Sequence, residues 1–214
     1  MVDLAFTVEG IEVERYAAAP TLLFKLRISA GDVQVQNVML QCQLRIDASR
    51  RRYSRAEHEP LIELFGETHR WSETLHSMLW THASAQIPAF KGERIANLPV
   101  PCSFDFNVAA TKYFYGLEGG EVPLTLLFSG TVFYRDEDGL LQMDQIPWST
   151  EATCKLPVAL WRQMMDVYYP ASTWLRIDRA AFDVLQRYRR RRGFTSWEQT
   201  LGALLDGQRE ERRP

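Results

Sequence analysis

Over residues 38–47, Val38, Leu40, Cys42, Leu44 and Ile46 fall on one side of the chain, and Gln41, Gln43, Arg45 and Asp47 on the other. A period of two is the signature of a half-buried strand, because successive side chains leave a strand on opposite faces. This segment therefore demands a sheet with one covered face. Its neighbours extend the demand. Leu22, Phe24, Leu26 and Ile28 alternate with Lys25 and Arg27, and Gly31-Asp32 marks the turn between the two runs. Phe6/Val8 and Ile11/Val13 alternate around a bend at Gly10. Together the three runs predict an antiparallel meander.

The downstream sequence adds further strands. Residues 80–87 alternate, and Pro99 and Pro101 bracket a loop leading into a strand over 102–108. Residues 122–134 are rich in Leu, Phe, Val and Thr, with Gly130 as a bulge or close-approach point. Asp136-Glu-Asp-Gly139 signals a hairpin that returns over 140–146, and 152–156 forms one more strand. The expected fold class is α+β: a mostly antiparallel β-sandwich of about seven or eight strands with a C-terminal region of three helices.

A short helical insertion near 54–66 is predicted by the capping box Ser54-Arg-Ala-Glu57 and the apolar face Leu61, Ile62, Leu64 and Phe65. Pro60 kinks that helix or starts it. The first C-terminal helix opens at Pro157 and carries Leu160, Trp161, Met164, Met165, Val167 and Tyr168. Residues 174–205 read as strand, helix, turn, helix. Residues 174–177 are the strand, Asp178 the cap, Phe182, Leu185 and Tyr188 the apolar face, and Gly193 the helix end. Thr195-Ser-Trp-Glu198 then matches a second capping box, followed by the stripe Trp197, Leu201, Leu204 and Leu205. The expected organisation is a β-body over 1–156 and a helical region over 157–214 packed on it.

With 46% hydrophobic and 12% aromatic residues the chain can bury a large core, which excludes disorder. Its apolar runs are too short to span a bilayer, and MVDLAFTVEG has acids where a signal peptide is basic. A cytoplasmic protein without membrane association is expected. Net charge is −2, which predicts no general affinity for nucleic acid, but it is unevenly spread. Residues 174–214 hold ten Arg against six acids, a balance of +4, so the rest carries −6.

Chemical signatures are sparse. Cys42, Cys102 and Cys154 lie far apart in strand-like contexts and read as core. His58, His69, His76 and His82 have no spacing that makes a metal motif. GxSxG, GxGxxG and the phosphate-binding P-loop are absent. No catalytic residue, metal or cofactor is assigned, and the balance leans away from an enzyme. Arg50-Arg-Arg52 reads as solvated charge at a sheet edge. The candidate contact surface is the basic tail, with Trp174, Arg176, Arg187, Arg190 and Arg191 as partner-binding residues, since Trp and Arg are common interface anchors.

Two resemblances bear on function. The 174–205 layout resembles ribbon-helix-helix repressors, in which a strand paired across a dimer enters the major groove and a helix N-terminus holds a phosphate. That resemblance implies Arg176 as base reader, with Thr195 and Ser196 at the phosphate. The segments LLFKLRI, YSRAEHEPLIELFGE, LPVPCSFDFNVAATKYF, LLFSGTVFYR and WLRIDR…RRRRG…SWE resemble, nearly end to end, an uncharacterised actinobacterial family often encoded beside nickel-iron hydrogenase genes. That resemblance implies a non-enzymatic accessory or protein-interaction protein linked to hydrogenase assembly or maturation, with a hydrogenase subunit or maturation factor as partner. A DNA-binding regulator is the alternative.

Overall fold

A single 26-residue strand, β2 (Thr21–Ile46), is the axis of the first part of the chain. The computed structural model describes residues 2–103, 107–173 and 175–211. Strand β1 (Ala5–Glu14) pairs antiparallel with the first half of β2, from Ala5↔Ser29 to Glu14↔Thr21. Strand β3 (Met78–Pro101) runs along the opposite side of β2 for its whole length, from Thr21↔Pro101 to Ile46↔Met78. Strand β4 (Glu121–Arg135) takes over from β1 beside the second half of β2. Strands β5 (Leu141–Gln145) and β6 (Glu151–Pro157) then share the far side of β4.

The result is one six-stranded antiparallel sheet curled into a half-barrel, not a sandwich of seven or eight strands. The reason lies at Gly31-Asp32. The runs over 22–28 and 38–46 are the two halves of β2, and Gly31 at φ +58° bends the strand instead of reversing it. The β2–β3 pairing is irregular at the same level, between Ser29 and Gln34, and Gly92 in β3 adopts φ +74°. Paired strands that bend together curl the sheet and close its apolar face on itself. Pro99 and Pro101 are strand residues rather than loop brackets. They lie on β3, which among the described residues pairs only with β2, and an edge strand tolerates a missing N–H.

Gly130 sits at φ +130°, and a Cβ there would meet the Met39 carbonyl oxygen at 2.0 Å. This is the close approach anticipated from sequence. Gly10 likewise marks a register shift in β1.

The inner face is filled by Leu22, Phe24, Leu26, Ile28, Leu40, Leu44 and Ile46, together with Leu98, Val100, Leu124 and Leu126, all fully or almost fully buried. Each such side chain contributes about 2 kcal/mol of burial. Aromatic contacts close the core: Phe6 stacks on Phe128 at 4.3 Å, and Phe114 on Trp161 at 5.1 Å.

The described residues form six α-helices in all. They are α1 (Arg55–Phe65), α2 (Trp71–Thr74), α3 (Val108–Tyr115), α4 (Val158–Tyr168), α5 (Arg179–Arg192) and α6 (Trp197–Glu211). Three of them lie in the C-terminal region, where three are expected, and α2 and α3 are additional to the expected insertion. The described ends of the span 102–108, where a strand is expected, carry no strand. Cys102 and Ser103 follow β3 without strand geometry, and Val108 begins α3. From Val108 on, buried Ala110, Thr111, Tyr113 and Phe114 follow a helical period. Residues 104–106 lie outside the described residues.

Two compact units divide the chain, Met1–Ser172 and Thr173–Pro214. Helix α4 belongs to the first, and α5 with α6 make up the second. Among the described residues, no helix is long and apolar enough to cross a membrane.

Candidate functional site

Helix α5 begins where the sequence places it. The Asp178 carboxylate accepts from the N–H groups of Ala180 (2.8 Å) and Ala181 (3.4 Å), and Gly193 ends the helix in the left-handed region at φ +69°, ψ +21°. The second cap is shifted by one residue from the expected box. Ser196 Oγ accepts from Gln199 N–H (3.2 Å), and the Gln199 side-chain oxygen accepts from Thr195 N–H (3.0 Å). Residues 175–178 form no strand. An isolated extended segment has no ladder without a partner strand. The sequence-predicted Trp174 lies outside the described residues.

Within the arginine run, two side chains work inside the hairpin. Arg189 lies over the Trp197 ring at 4.9 Å and donates to the carbonyls of Phe194 and Thr195. Arg192 lies over Tyr188 at 5.7 Å. Arg187, Arg190 and Arg191 are exposed, and the i, i+3, i+4 spacing puts them on one face of α5. Val184, 56% exposed, precedes Arg187 by three positions and extends that face. Among the described residues, none of these three arginines forms an ion pair, and neither does exposed Arg176. The structure therefore gathers Arg187, Arg190 and Arg191, while Arg176 stands on the lead-in to the helix. Thr200 is fully buried, and its hydroxyl donates to the Ser196 carbonyl at 2.9 Å.

In the first unit, the reading of Arg50-Arg-Arg52 as solvated charge fails at Arg51. Its side chain is 8% exposed and forms a two-pronged pair with Glu57, itself 3% exposed, at 2.9 and 2.7 Å. Glu57 is the acidic member of the α1 capping box, so the helix start holds the carboxylate where Arg51 reaches it. Burial alone raises the Glu57 carboxyl. The bonds from Arg51 and from the N–H groups of Ser54 and Glu118 outweigh this and hold it below the usual glutamate range. Both ions are consumed by these contacts, which makes the pair structural.

The histidines do not converge: His58 packs edge-on against Trp71 at 5.0 Å, while His82 stands exposed on β3. Among the described residues, no group of three or more His, Cys, Asp or Glu is placed to hold a metal ion. Cys42 and Cys102 are buried and Cys154 is half-buried, and desolvation pushes each thiol up to about 12.

On the outer face of the sheet lies a groove of about 620 Å³. Its polar lining is Gln41 and Gln43 from β2, His82 and Ser84 from β3, and Ser129 from β4, with Trp148 beside them. Register brings these residues together, since Gln41 is flanked by Ser84 and Ser129, and Gln43 by His82 and Leu127.

The family model described as "Family of unknown function (DUF6084)" matches residues 1–213. The chain belongs to DUF6084. No curated protein matches it. A solved structure with some likeness to this DUF6084 chain is the solution structure of a protein described as late embryogenesis abundant (LEA). It is 15% identical and covers 72% of this chain and 71% of its own, with a TM-score of 0.29, an overlap too loose to bear on fold or function.

Sequence reasoning missed the groove in this DUF6084 member. The polar side of 38–47 was legible, yet nothing in it says which residues of β3 and β4 lie alongside. The one available signal was Trp148, a large aromatic in a turn between two strands.

Proposed function

We propose that this DUF6084 protein is a non-enzymatic accessory protein that docks an acidic protein partner through the α5 face of Arg187, Arg190 and Arg191. The observation that carries the reading is that three exposed guanidinium groups share one helical face with no carboxylate of the described residues paired to them. Arginine is enriched among interface hot spots, and a concentrated positive face steers an acidic partner into register. Exposed Val184 supplies an apolar contact on the same face. The resemblance to proteins encoded beside nickel-iron hydrogenase genes directs the partner search to hydrogenase subunits and their maturation factors.

The test is affinity capture from the native cell with the full chain and with the triple variant Arg187→Glu/Arg190→Glu/Arg191→Glu. The variant leaves buried positions untouched. It is expected to lose at least about tenfold in affinity for the captured partner, mostly through association rate, and the wild-type complex should weaken with salt. Unchanged capture by the folded variant overturns the reading. A DNA-binding regulator is the competing assignment. It requires Arg176 to read bases from a strand paired across a dimer, and it predicts duplex binding that falls steeply with salt and weakens in Arg176→Ala.

A further inference from the structure

We infer that the outer-face groove around Trp148 binds a neutral saccharide. The groove belongs to the first unit and is independent of the arginine face. Its polar floor is built by register: Ser84, Gln41 and Ser129 form one row across β3, β2 and β4, and His82 with Gln43 begins the next. Adjacent strands lie about 4.8 Å apart, and same-face neighbours along a strand about 6.8 Å apart. The polar set therefore covers roughly 10 by 7 Å, a footprint suited to one or two sugar rings.

None of these five side chains takes part in an intramolecular hydrogen bond among the described residues. Their donors and acceptors are left for solvent or a ligand. A glutamine amide offers a donor and an acceptor side by side, which matches a pair of adjacent hydroxyls.

Trp148 completes the site. It occupies a turn closed by the bond from Thr150 N–H to the Pro147 carbonyl at 3.0 Å. That turn is tied to β4 on both sides, by Phe128 N–H to the Thr150 carbonyl and by Ile146 N–H to the Gly130 carbonyl, each 2.9 Å. Anchored backbone thus places Trp148 beside the groove, with its indole 91% exposed. A large aromatic left open to water on a rigid support offers a stacking surface.

The lining also excludes other ligand classes. It contains no Lys, Arg, Asp or Glu, and the single imidazole of His82 is too little charge to hold a phosphate or a nucleic-acid backbone. Leu127 and Phe128 also line it, but an acyl chain laid there would leave the amides and hydroxyls of the polar row unpaired. A ligand that presents hydroxyls on its edges and a C–H face to an aromatic ring satisfies both halves of the groove, and that is the chemistry of a sugar. The clefts beside α4 are smaller, about 470 and 260 Å³, and their Arg162 already donates to the carbonyls of Leu117 and Glu118.

The test uses the full-length ¹⁵N-labelled protein titrated with glucose, maltose, cellobiose and trehalose. A parallel arm measures retention on insoluble cellulose and starch, which separates free sugars from polymer chains as the source. The expected result is saturable shifts of the Gln41 and Gln43 side-chain amides and of the Trp148 indole with at least one sugar, or retention on one polymer. Trp148→Ala should weaken that binding about tenfold or more, while Trp148→Phe keeps most of it. Position 148 is exposed, so neither variant threatens the fold. Absence of saturable shifts with all four sugars together with no retention on either polymer overturns the proposal. So does binding that Trp148→Ala leaves unchanged.

Discussion

Replacing Glu57 by Gln removes one charge and almost no volume, yet it strikes the most buried ion pair among the described residues. The carboxylate accepts four hydrogen bonds: two from Arg51 at 2.9 and 2.7 Å, and one each from Ser54 N–H and Glu118 N–H at 2.9 Å. An amide keeps one acceptor oxygen and turns the other position into a donor facing donors. Arg51, tied to the Gly119 carbonyl at 2.6 Å, cannot swing out to water without giving up that bond as well. Breaking a buried pair on one side costs about 3–5 kcal/mol, because a charge remains desolvated and unpaired. We therefore expect Glu57→Gln to lose about that much stability in urea unfolding followed by the fluorescence of buried Trp80 and Trp161. The double variant Arg51→Met/Glu57→Gln removes the stranded charge and should recover part of the loss, giving a coupling of about 1–3 kcal/mol. Acid provides a second readout. The Glu57 carboxyl titrates below its unfolded value, so its contribution is complete above the ordinary glutamate value of about 4.3 and is lost as pH falls through the lower folded value. The gap between wild type and Glu57→Gln should shrink over that acidic window. A loss under about 1 kcal/mol, or strict additivity in the double variant, refutes the reasoning.

Two further outcomes follow from the backbone and the thiols. Gly130→Ala places a Cβ 2.0 Å from the Met39 carbonyl oxygen on a residue at φ +130°, so strain and overpacking together should cost at least about 3 kcal/mol in the same unfolding assay. A cost below about 1 kcal/mol shows that β2 and β4 can separate there. Cys42, Cys102 and Cys154, each pushed up to about 12 by burial, hold almost no thiolate at pH 8. Ellman's reagent should leave all three unmodified in the native protein and titrate three thiols after unfolding in urea. A fast native reaction at any of them contradicts their placement.

The two candidate surfaces make separable demands on a partner. The α5 face offers charge without shape, so its binding should be fast and salt-sensitive. The sheet groove offers shape and hydrogen bonds without charge, so its binding should be nearly indifferent to salt. An ionic-strength series therefore tells which surface a given partner uses, before any variant is made.

Features that depend on a few neighbouring residues were legible in the sequence alone. The capping box at Ser54 and Glu57, the Asp178 cap, the left-handed Gly193, the hairpin at Asp136–Gly139 and the alternation over 38–47 all express local backbone chemistry, and each is present in the structure. Even the close approach at Gly130 was readable, because a glycine inside an apolar strand has few other purposes. What escaped depends on pairing at long range. Whether Gly31 reverses the chain or bends it turns on β3 running beside both halves of β2, and that decides between a sandwich and a curled sheet. Arg51 looks like its exposed neighbours until Glu57 and the Gly119 carbonyl fold over it. The row Ser84, Gln41, Ser129 draws on three strands far apart in sequence, and no periodicity within one strand can name its neighbours. Composition and spacing thus determined the helix caps and the alternating segments, but not how many strands those segments make or where α3 begins. Only the tertiary structure decided which charges are buried and which polar residues meet, because register is set by the packing of the whole apolar face.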